Sequence, residues 1–183
     1  LLARFNGLYP MVDLDLMTGL SCDILAAYDA GRLDTVIAKK NSAVPRGRVI
    51  WRDQLVWLAG SGYEVDLARP INLVMLRPPC TYRELMISTL ESVRRDWATA
   101  CTASSLMGVQ AAVAGGLGVS ILGRSFVKND MRILEMPEDW PALPSTEVVI
   151  IGEKPELSDL VQALVTFLTE NRSTNVMQFP AIR

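Results

Sequence analysis

The stretch that most constrains the fold runs from Thr102 to Leu122 and reads TASSLMGVQAAVAGGLGVSIL. It opens with hydroxyl side chains, which favour helix starts because their oxygens accept from free N–H groups of the first turn. Apolar residues then recur at helical spacing, Gly115 and Gly116 predict the helix end, and 119–122 predicts a buried strand. The helix start is either an ordinary cap in an α/β domain or a site that presents N–H groups and hydroxyls to a polar or anionic ligand.

Helical and strand patterns alternate along the rest of the chain. Helices are predicted over 1–9, 82–97 and 157–168. A further helix is predicted from Ser21, which would cap it, to Gly31. Strands are predicted over 12–17, 35–38, 49–51, 55–59, 71–76, 98–101, 131–134 and 148–151. This alternation predicts parallel β-α-β units. A turn-rich break over 61–70 divides them into two sets, which indicates two lobes.

Composition excludes several classes of protein. Half of the 183 residues are hydrophobic and 21% are charged, so a packed core is expected. The net charge of −2 argues against a nucleic-acid surface on this chain. Histidine is absent, and there is no metal-ligand spacing or nucleophile motif, so we predict no enzyme, metal site or cofactor. No apolar run approaches membrane length and no signal peptide is visible, so no membrane association is expected.

The three cysteines and the glycine cluster give only weak indications of redox chemistry or dinucleotide binding. The cysteines, Cys22, Cys80 and Cys101, show no CxxC spacing, which fits a reducing cytoplasm better than a disulfide scaffold. Cys80 and Cys101 end predicted neighbouring strands, where they are either a redox pair or buried small hydrophobes. The glycines at 115–118 follow a helix and do not form GxGxxG, so dinucleotide binding is poorly supported.

Four segments together resemble the regulatory domain of LysR-type transcriptional regulators. They are LLARFNGLYP at the start, VDLDL, AGRLDTVIA, and AVAGGLGVSIL behind the Ser/Thr loop. The resemblance covers about residues 1–170 and implies two Rossmann-like α/β lobes joined by crossing strands, the type II periplasmic-binding-protein fold. It implies that 148–170 returns to the first lobe, giving lobe I over 1–70 plus 148–170, lobe II over 71–147, and a tail over 171–183. It also implies a first strand that precedes Leu1, and the absence of an initiator methionine leads us to expect a fragment.

Candidate ligand-binding residues follow predicted strands and precede predicted helices. Ligands of open α/β sheets bind outside the carboxyl ends of the strands, so we expect these side chains near an effector. The resemblance matches Ser21 and Ser104 to effector-contacting hydroxyls, and Arg83 offers donors to a carboxylate. The full candidate set is Ser21, Cys80, Tyr82, Arg83, Thr102, Ser104 and Ser105. For Arg83 the alternative is a surface arginine at an unfavourable place on the helix dipole.

The resemblance implies a function for the chain. We expect a cytoplasmic effector-binding and oligomerisation domain whose ligand is a polar or anionic small molecule. The intact regulator would bind DNA through an N-terminal winged helix-turn-helix outside this chain. It would form a homodimer through the helices at 1–9 and 82–97, and a tetramer at full length. The alternatives are a solute-binding protein of a transport system and an enzyme.

Overall fold

The computed structural model describes residues 2–40, 46–66, 68–152 and 158–170. The helices are α1 (Leu2–Leu8), α2 (Ser21–Asp29), α3 (Thr81–Ser92), α4 (Leu106–Ala114) and α5 (Ser158–Glu170), with a 3-10 turn at Arg124–Phe126. The strands are β1 (Val36–Lys39), β2 (Arg48–Gly60), β3 (Ile71–Leu76), β4 (Trp97–Ala103), β5 (Ser120–Gly123), β6 (Met131–Ile133) and β7 (Ser145–Ile151). The α/β class expected from the sequence is confirmed.

The chain divides into two compact units, and the division falls within two strands. Unit 1 comprises Leu1–Arg52 and Glu147–Arg183, and unit 2 comprises Asp53–Thr146. The sequence placed the boundaries at 70/71 and 147/148. The first differs because β2 runs without a break through Arg52 and Asp53, so its second half lies in unit 2. Strands β2 and β7, which are hydrogen-bonded to each other, each contribute residues to both units.

Unit 1 is built on an antiparallel pair of strands with helices on its two faces. β1 pairs with β7 from Val36 opposite Ile151 to Lys39 opposite Val148. Successive strand residues point to opposite faces. One face packs on α2 through a buried cluster that contains Ile24, and the other packs on α5 through Val161 and Val165.

Unit 2 is centred on β3, whose Leu73, Val74 and Met75 are fully buried. β3 pairs in parallel with β4, and an isolated parallel bridge joins Leu73 to Val119 on its other side. Helices α3 and α4 both contact β3. In the other part of the unit, β2 pairs antiparallel with β5 and β6.

Some sequence predictions of secondary structure are wrong. The segment 12–17 forms no strand, and Leu16 is 65% exposed, because alternating apolar residues cannot form a strand without a backbone partner. The predicted strands at 49–51 and 55–59 are one strand, β2. Trp97 begins β4 instead of ending a helix, since α3 stops at Ser92.

The pairing of strands also departs from the predicted parallel units. β1 with β7, and β2 with β5 and β6, are antiparallel, whereas β3 with β4 and the bridge at Val119 are parallel. The predicted tail at 171–183 lies outside the described residues. None of the helices in the described ranges is long and apolar enough to cross a membrane.

Candidate functional site

The carboxyl ends of β3 and β4 lie side by side in unit 2. Met75 is opposite Thr102 and Leu76 is opposite Ala103 in the parallel register. The pairing extends past β3, because the N–H of Arg77 donates to the carbonyl of Ala103 at 2.9 Å. The connections that follow the two strands, 77–80 and 104–105, therefore leave the same edge of the sheet. This is the edge at which open α/β sheets bind ligands, and we call it the β3–β4 edge.

Helix α4 begins at this edge behind a serine cap, as predicted. Ser105 is the N-cap residue, and its side-chain oxygen accepts from the N–H of Gly108 at 3.2 Å. The first turn of α4 contains no acidic residue, so no carboxylate there neutralises the positive end of the helix dipole. The hydroxyl of Ser105 still has a proton to donate, because its bond to Gly108 uses only a lone pair.

Two further predicted hydroxyls flank this cap. Thr102 and Ser104 are exposed on either side of the half-buried Ala103, at the end of β4 and just after it. Ser104 precedes the N-cap residue, so its side chain lies outside the helix, where it is accessible to solvent. The β3–β4 edge therefore brings together three hydroxyl groups and the N-terminus of α4.

Helix α3 begins at the same edge, and its first residues differ in role. Cys80 is the N-cap residue but makes no side-chain cap hydrogen bond. Tyr82 is only 4% exposed, and burial raises the pKa of its phenol well above the usual range. Tyr82 therefore lies beneath the edge, where it anchors α3.

Arg83 is a cation at this edge, as is the exposed Arg77 that follows β3. The side chain of Arg83 is half-buried in the first turn of α3, and its Nη1 atom is buried without a hydrogen-bond partner in the described part of the chain. A buried guanidinium nitrogen without an acceptor is unfavourable, because the group has lost water and gained nothing in return. This N–H group is therefore a donor without an acceptor among the described residues, which favours an anionic partner once the side chain turns toward the surface.

Ser21 belongs to unit 1 and does not cap a helix, which corrects one prediction. The N-cap residue of α2 is Leu20, whose side chain makes no cap hydrogen bond, and Ser21 is the first helical residue. Within residues 2–20 no strand precedes it, because the predicted strand at 12–17 is absent. Its half-buried hydroxyl lies at the start of α2, but it is not held by the cap contact that Ser105 makes.

The remaining site predictions concern metals and sulfur. Among the described residues, no group of three or more metal-ligating side chains is placed to hold an ion. Cys22, Cys80 and Cys101 are half-buried free thiols. The structure thus describes no disulfide between Cys80 and Cys101.

Sequence reasoning did not identify Gly108 as a contributor to the edge. A Cβ built on Gly108 would lie 3.1 Å from the Cβ of Ala103 and 3.4 Å from the hydroxyl oxygen of Ser105. The glycine therefore allows the first turn of α4 to pack closely on the end of β4. The available signal was its spacing, since Gly108 is three residues after Ser105, at the position whose N–H a cap accepts.

Comparison with known proteins gives one consistent family. A family model for the LysR substrate binding domain matches residues 1–173. The chain is 22% identical over 177 residues to the HTH-type transcriptional regulator PecT of Dickeya dadantii (strain 3937), covering 97% of this chain and 56% of that protein. The chain spans about half the length of the curated relatives it matches.

Two solved structures show the same fold. The regulatory domain of CcmR from Synechocystis PCC6803, in complex with 2-PG, has a TM-score of 0.65 and 16% identity, covering 93% of this chain and 89% of that chain. The effector binding domain of QuiR, in complex with shikimate, has a TM-score of 0.61 and 13% identity, covering 91% of this chain and 87% of that chain. The type II periplasmic-binding-like fold expected from the sequence is confirmed.

Proposed function

Because this chain belongs to the LysR substrate-binding domain family, the effector-binding domain of LysR-type transcriptional regulators, we propose that it binds its small-molecule effector at the β3–β4 edge. The observation that supports this location is the junction of two parallel strand ends with two helix starts in unit 2. Side chains and free N–H groups converge there.

The proposed effector is an anion, and a carboxylate fits the edge best. Arg83 contributes a buried Nη1 without a described partner, and α4 contributes a helix N-terminus without an acidic residue in its first turn. Both favour negative charge, and a guanidinium can hold both oxygens of a carboxylate. The QuiR domain was solved with shikimate, a hydroxylated carboxylate, which is compatible with an edge that combines an arginine with hydroxyl groups.

The contacts that we propose have different functions. Thr102, Ser104 and Ser105 hydrogen-bond to the polar groups of the effector, and Arg83 binds its anionic group. Cys80 offers a small thiol at the start of α3, and Tyr82 positions that helix from below. Ser21, at the start of α2 in unit 1, is proposed as a further hydroxyl contact on the strength of its match to the family pattern.

The experiment begins with a search for an effector and then tests the site. A panel of small carboxylates that includes shikimate is screened by thermal shift, with the matching neutral amides as comparators. For any carboxylate that binds, Ser104→Ala should weaken affinity by about 1–2 kcal/mol through loss of a hydrogen bond. Arg83→Met should weaken binding more, because the Arg83 bond is charge-assisted. Isothermal titration calorimetry measures both.

The control is Ser88→Ala on α3, an exposed serine that bonds to the carbonyl of Leu85 in its own helix. It should leave affinity unchanged. Ser21→Ala is measured separately, since it tests only the contribution of unit 1 to affinity. If Ser104→Ala and Arg83→Met both keep full affinity for a carboxylate that stabilises the protein, the effector does not bind at the β3–β4 edge.

Membership of the family also bears on the solute-binding alternative. Its members are transcriptional regulators, so a solute-binding protein of a transport system is not favoured. LysR-family regulators act as oligomers and contact DNA through an N-terminal domain. For this chain we propose a DNA-binding domain upstream in the intact protein, which would work in the cytoplasm, and no DNA affinity in the isolated chain, whose net charge is −2.

We further propose a homodimer for this domain, through the helices at the two predicted positions, and a tetramer for the intact regulator. Unit 1 exposes apolar side chains at and after α1, with Leu8 61% and Met11 96% exposed. Exposed apolar surface of this kind is typical of protein interfaces. Sedimentation velocity at increasing concentration measures the dimer, and a monomer at every concentration would contradict it.

A further inference from the structure

A cavity in unit 2 lies at the opposite end of β4 from the β3–β4 edge. Helix α3 ends at Ser92, and the chain turns through four residues before β4 starts at Trp97. A cavity of about 390 Å³ lies against this turn, lined by Glu91, Arg94, Arg95, Asp96 and Trp97. The cavity is shallow and open to solvent along much of its surface. We call it the α3–β4 turn pocket.

Arg95 contributes to the pocket a guanidinium group whose buried nitrogen atoms lack hydrogen-bond partners among the described residues. Both Nε and Nη2 of its guanidinium are buried without a hydrogen-bond partner in the ranges that the structure describes. Its backbone N–H, by contrast, donates to the carbonyl of Leu90 at 2.8 Å, so the backbone is fixed while the side chain lacks acceptors. Nε and Nη2 are covered, so a ligand reaches them only when the side chain turns toward the pocket. Once turned, the two adjacent N–H groups form the donor pair that binds both oxygens of a carboxylate.

Arg94 occupies a backbone conformation that normally belongs to glycine. Its φ is +52°, and it is the only residue other than glycine with positive φ in the described part of the chain. Glycine is usual where a helix ends in the left-handed conformation, because a side chain there is strained. Keeping an arginine at this position places a second exposed cation on the rim of the pocket.

The pocket is balanced in charge, which selects the kind of ligand. Its lining contains two arginines and two exposed carboxylates, Glu91 and Asp96. None of these four side chains forms an ion pair with another described residue. A simple anion would be attracted by the arginines but repelled by the carboxylates, whereas a zwitterion matches both. The half-buried side chain of Trp97 adds an apolar wall.

We propose that the α3–β4 turn pocket is a second ligand site, for an amino acid with an apolar side chain. Its carboxylate binds the guanidinium of Arg95, its ammonium group lies between Glu91 and Asp96, and its side chain packs on Trp97. The effector edge and this pocket lie at opposite ends of β4, so the inference does not rest on the proposed function.

The test uses three probes that share one ring and differ in charge. L-phenylalanine carries both charged groups, 3-phenylpropanoate lacks the ammonium, and phenethylamine lacks the carboxylate. Nitrogen-15 NMR of the arginine Nε–H and tryptophan indole signals follows each titration. L-phenylalanine should shift the signals of Arg95 and Trp97 saturably and bind more tightly than either single-charge probe.

Variants then assign the contacts. Arg95→Lys should weaken binding of L-phenylalanine about tenfold or more, because lysine cannot form the paired contact. Glu91→Gln should weaken L-phenylalanine but not 3-phenylpropanoate, which has no ammonium group. The matched control is Arg69→Lys, at an exposed arginine 3.3 Å from Asp66. It should leave binding unchanged, and the backbone amide spectrum of each variant verifies that the fold is intact.

Two results would overturn the proposal. One is no saturable shift of the Arg95 signal at about 10 mM L-phenylalanine, which excludes a Kd of about 1 mM or tighter. The other is binding that Ser104→Ala removes and Arg95→Lys leaves intact, since the probe would then occupy the effector edge. That second result would support the proposed function while removing the second site, so the two proposals fail separately.

Discussion

The two units hold the starts of their helices in different ways. In unit 2, Ser105 caps α4 through its hydroxyl, and Gly108 lets the first turn pack against Ala103. In unit 1, α2 starts behind Leu20 without a side-chain cap. Unit 1 instead has an exposed ion-pair group, in which Arg52 on β2 and Lys40, just after β1, both contact Glu147 on β7.

The difference shows that a serine at a helix start can have two distinct roles. The oxygen of Ser105 is bound to the helix itself, so part of its hydrogen-bonding capacity serves the fold. Ser21 is one position further into its helix and makes no cap contact. Sequence alone places both serines at a helix start, but only the structure shows which of them stabilises the helix.

The largest effect that tests this comparison is expected at Gly108. Gly108→Val places a branched side chain where even a Cβ would lie 3.1 Å from the Cβ of Ala103. We expect it to reduce the free energy of unfolding by about 1–3 kcal/mol, as overpacking usually does. Urea denaturation measures the change.

The matched control for Gly108→Val is Ala111→Val, at an exposed position on the same helix. It changes helix propensity and adds a branched side chain, but meets no neighbouring strand, so it should cost well under about 1 kcal/mol. Equal effects at the two positions would show that close packing on β4 is unimportant.

A smaller effect is expected from the serines themselves. Ser105→Ala removes the cap of α4 and should reduce stability by about 1 kcal/mol. Ser21→Ala should change it by less than about 0.5 kcal/mol, because no cap hydrogen bond is lost. Ser105→Asp should keep most of the stability, since aspartate also caps helices. If Ser21→Ala reduces stability as much as Ser105→Ala does, the assignment of Leu20 as the N-cap residue is wrong.

The smallest effect is expected at the exposed ion-pair group of unit 1. Hydrogen bonds from Arg52 and then Lys40 lower the pKa of the Glu147 carboxyl. Because the folded-state pKa lies below the unfolded one, this stabilisation is present above the unfolded pKa and is lost as pH falls through the folded one.

Glu147→Gln should therefore have a slightly lower free energy of unfolding than the wild type at neutral pH. This gap in stability should close in acid. Urea denaturation of both proteins from about pH 7 to about pH 3 covers the usual titration range of a glutamate. High salt should also narrow the gap at neutral pH, because exposed charges are screened. A gap that persists unchanged in acid would mean that Glu147 acts through packing instead of charge.

Much of the fold was predictable where a segment carries its own signal. The run 71–76 is apolar except for Asn72 and lies between Pro70 and Pro78, and it forms β3 at those residues. Ser105, the apolar spacing and Gly115 defined α4, because cap, face and end are local features. The β3–β4 edge followed, since parallel strands bring their carboxyl ends together.

Other features depend on partners that a single segment does not reveal. The segment 12–17 alternates like a strand, but whether it becomes one depends on an adjacent backbone. Arg52 and Gln54 looked like a break in β2, yet Arg52 contacts Glu147 and Gln54 bonds to the carbonyl of Leu143. Those contacts come from residues about ninety positions away, so polarity alone suggested a loop.

The close packing of α4 on β4 also has a consequence for how the sequence of such a domain can change. Gly108 and Ser105 are fixed by the geometry of the fold, whereas Thr102 and Ser104 are exposed beside them. Substitutions at the two exposed positions change the polar groups at this edge without disturbing the packing of α4 on β4. Under the proposed function, effector preference can therefore change at 102 and 104 with little change in the stability of unit 2, whereas Ser105 serves both the helix cap and the ligand.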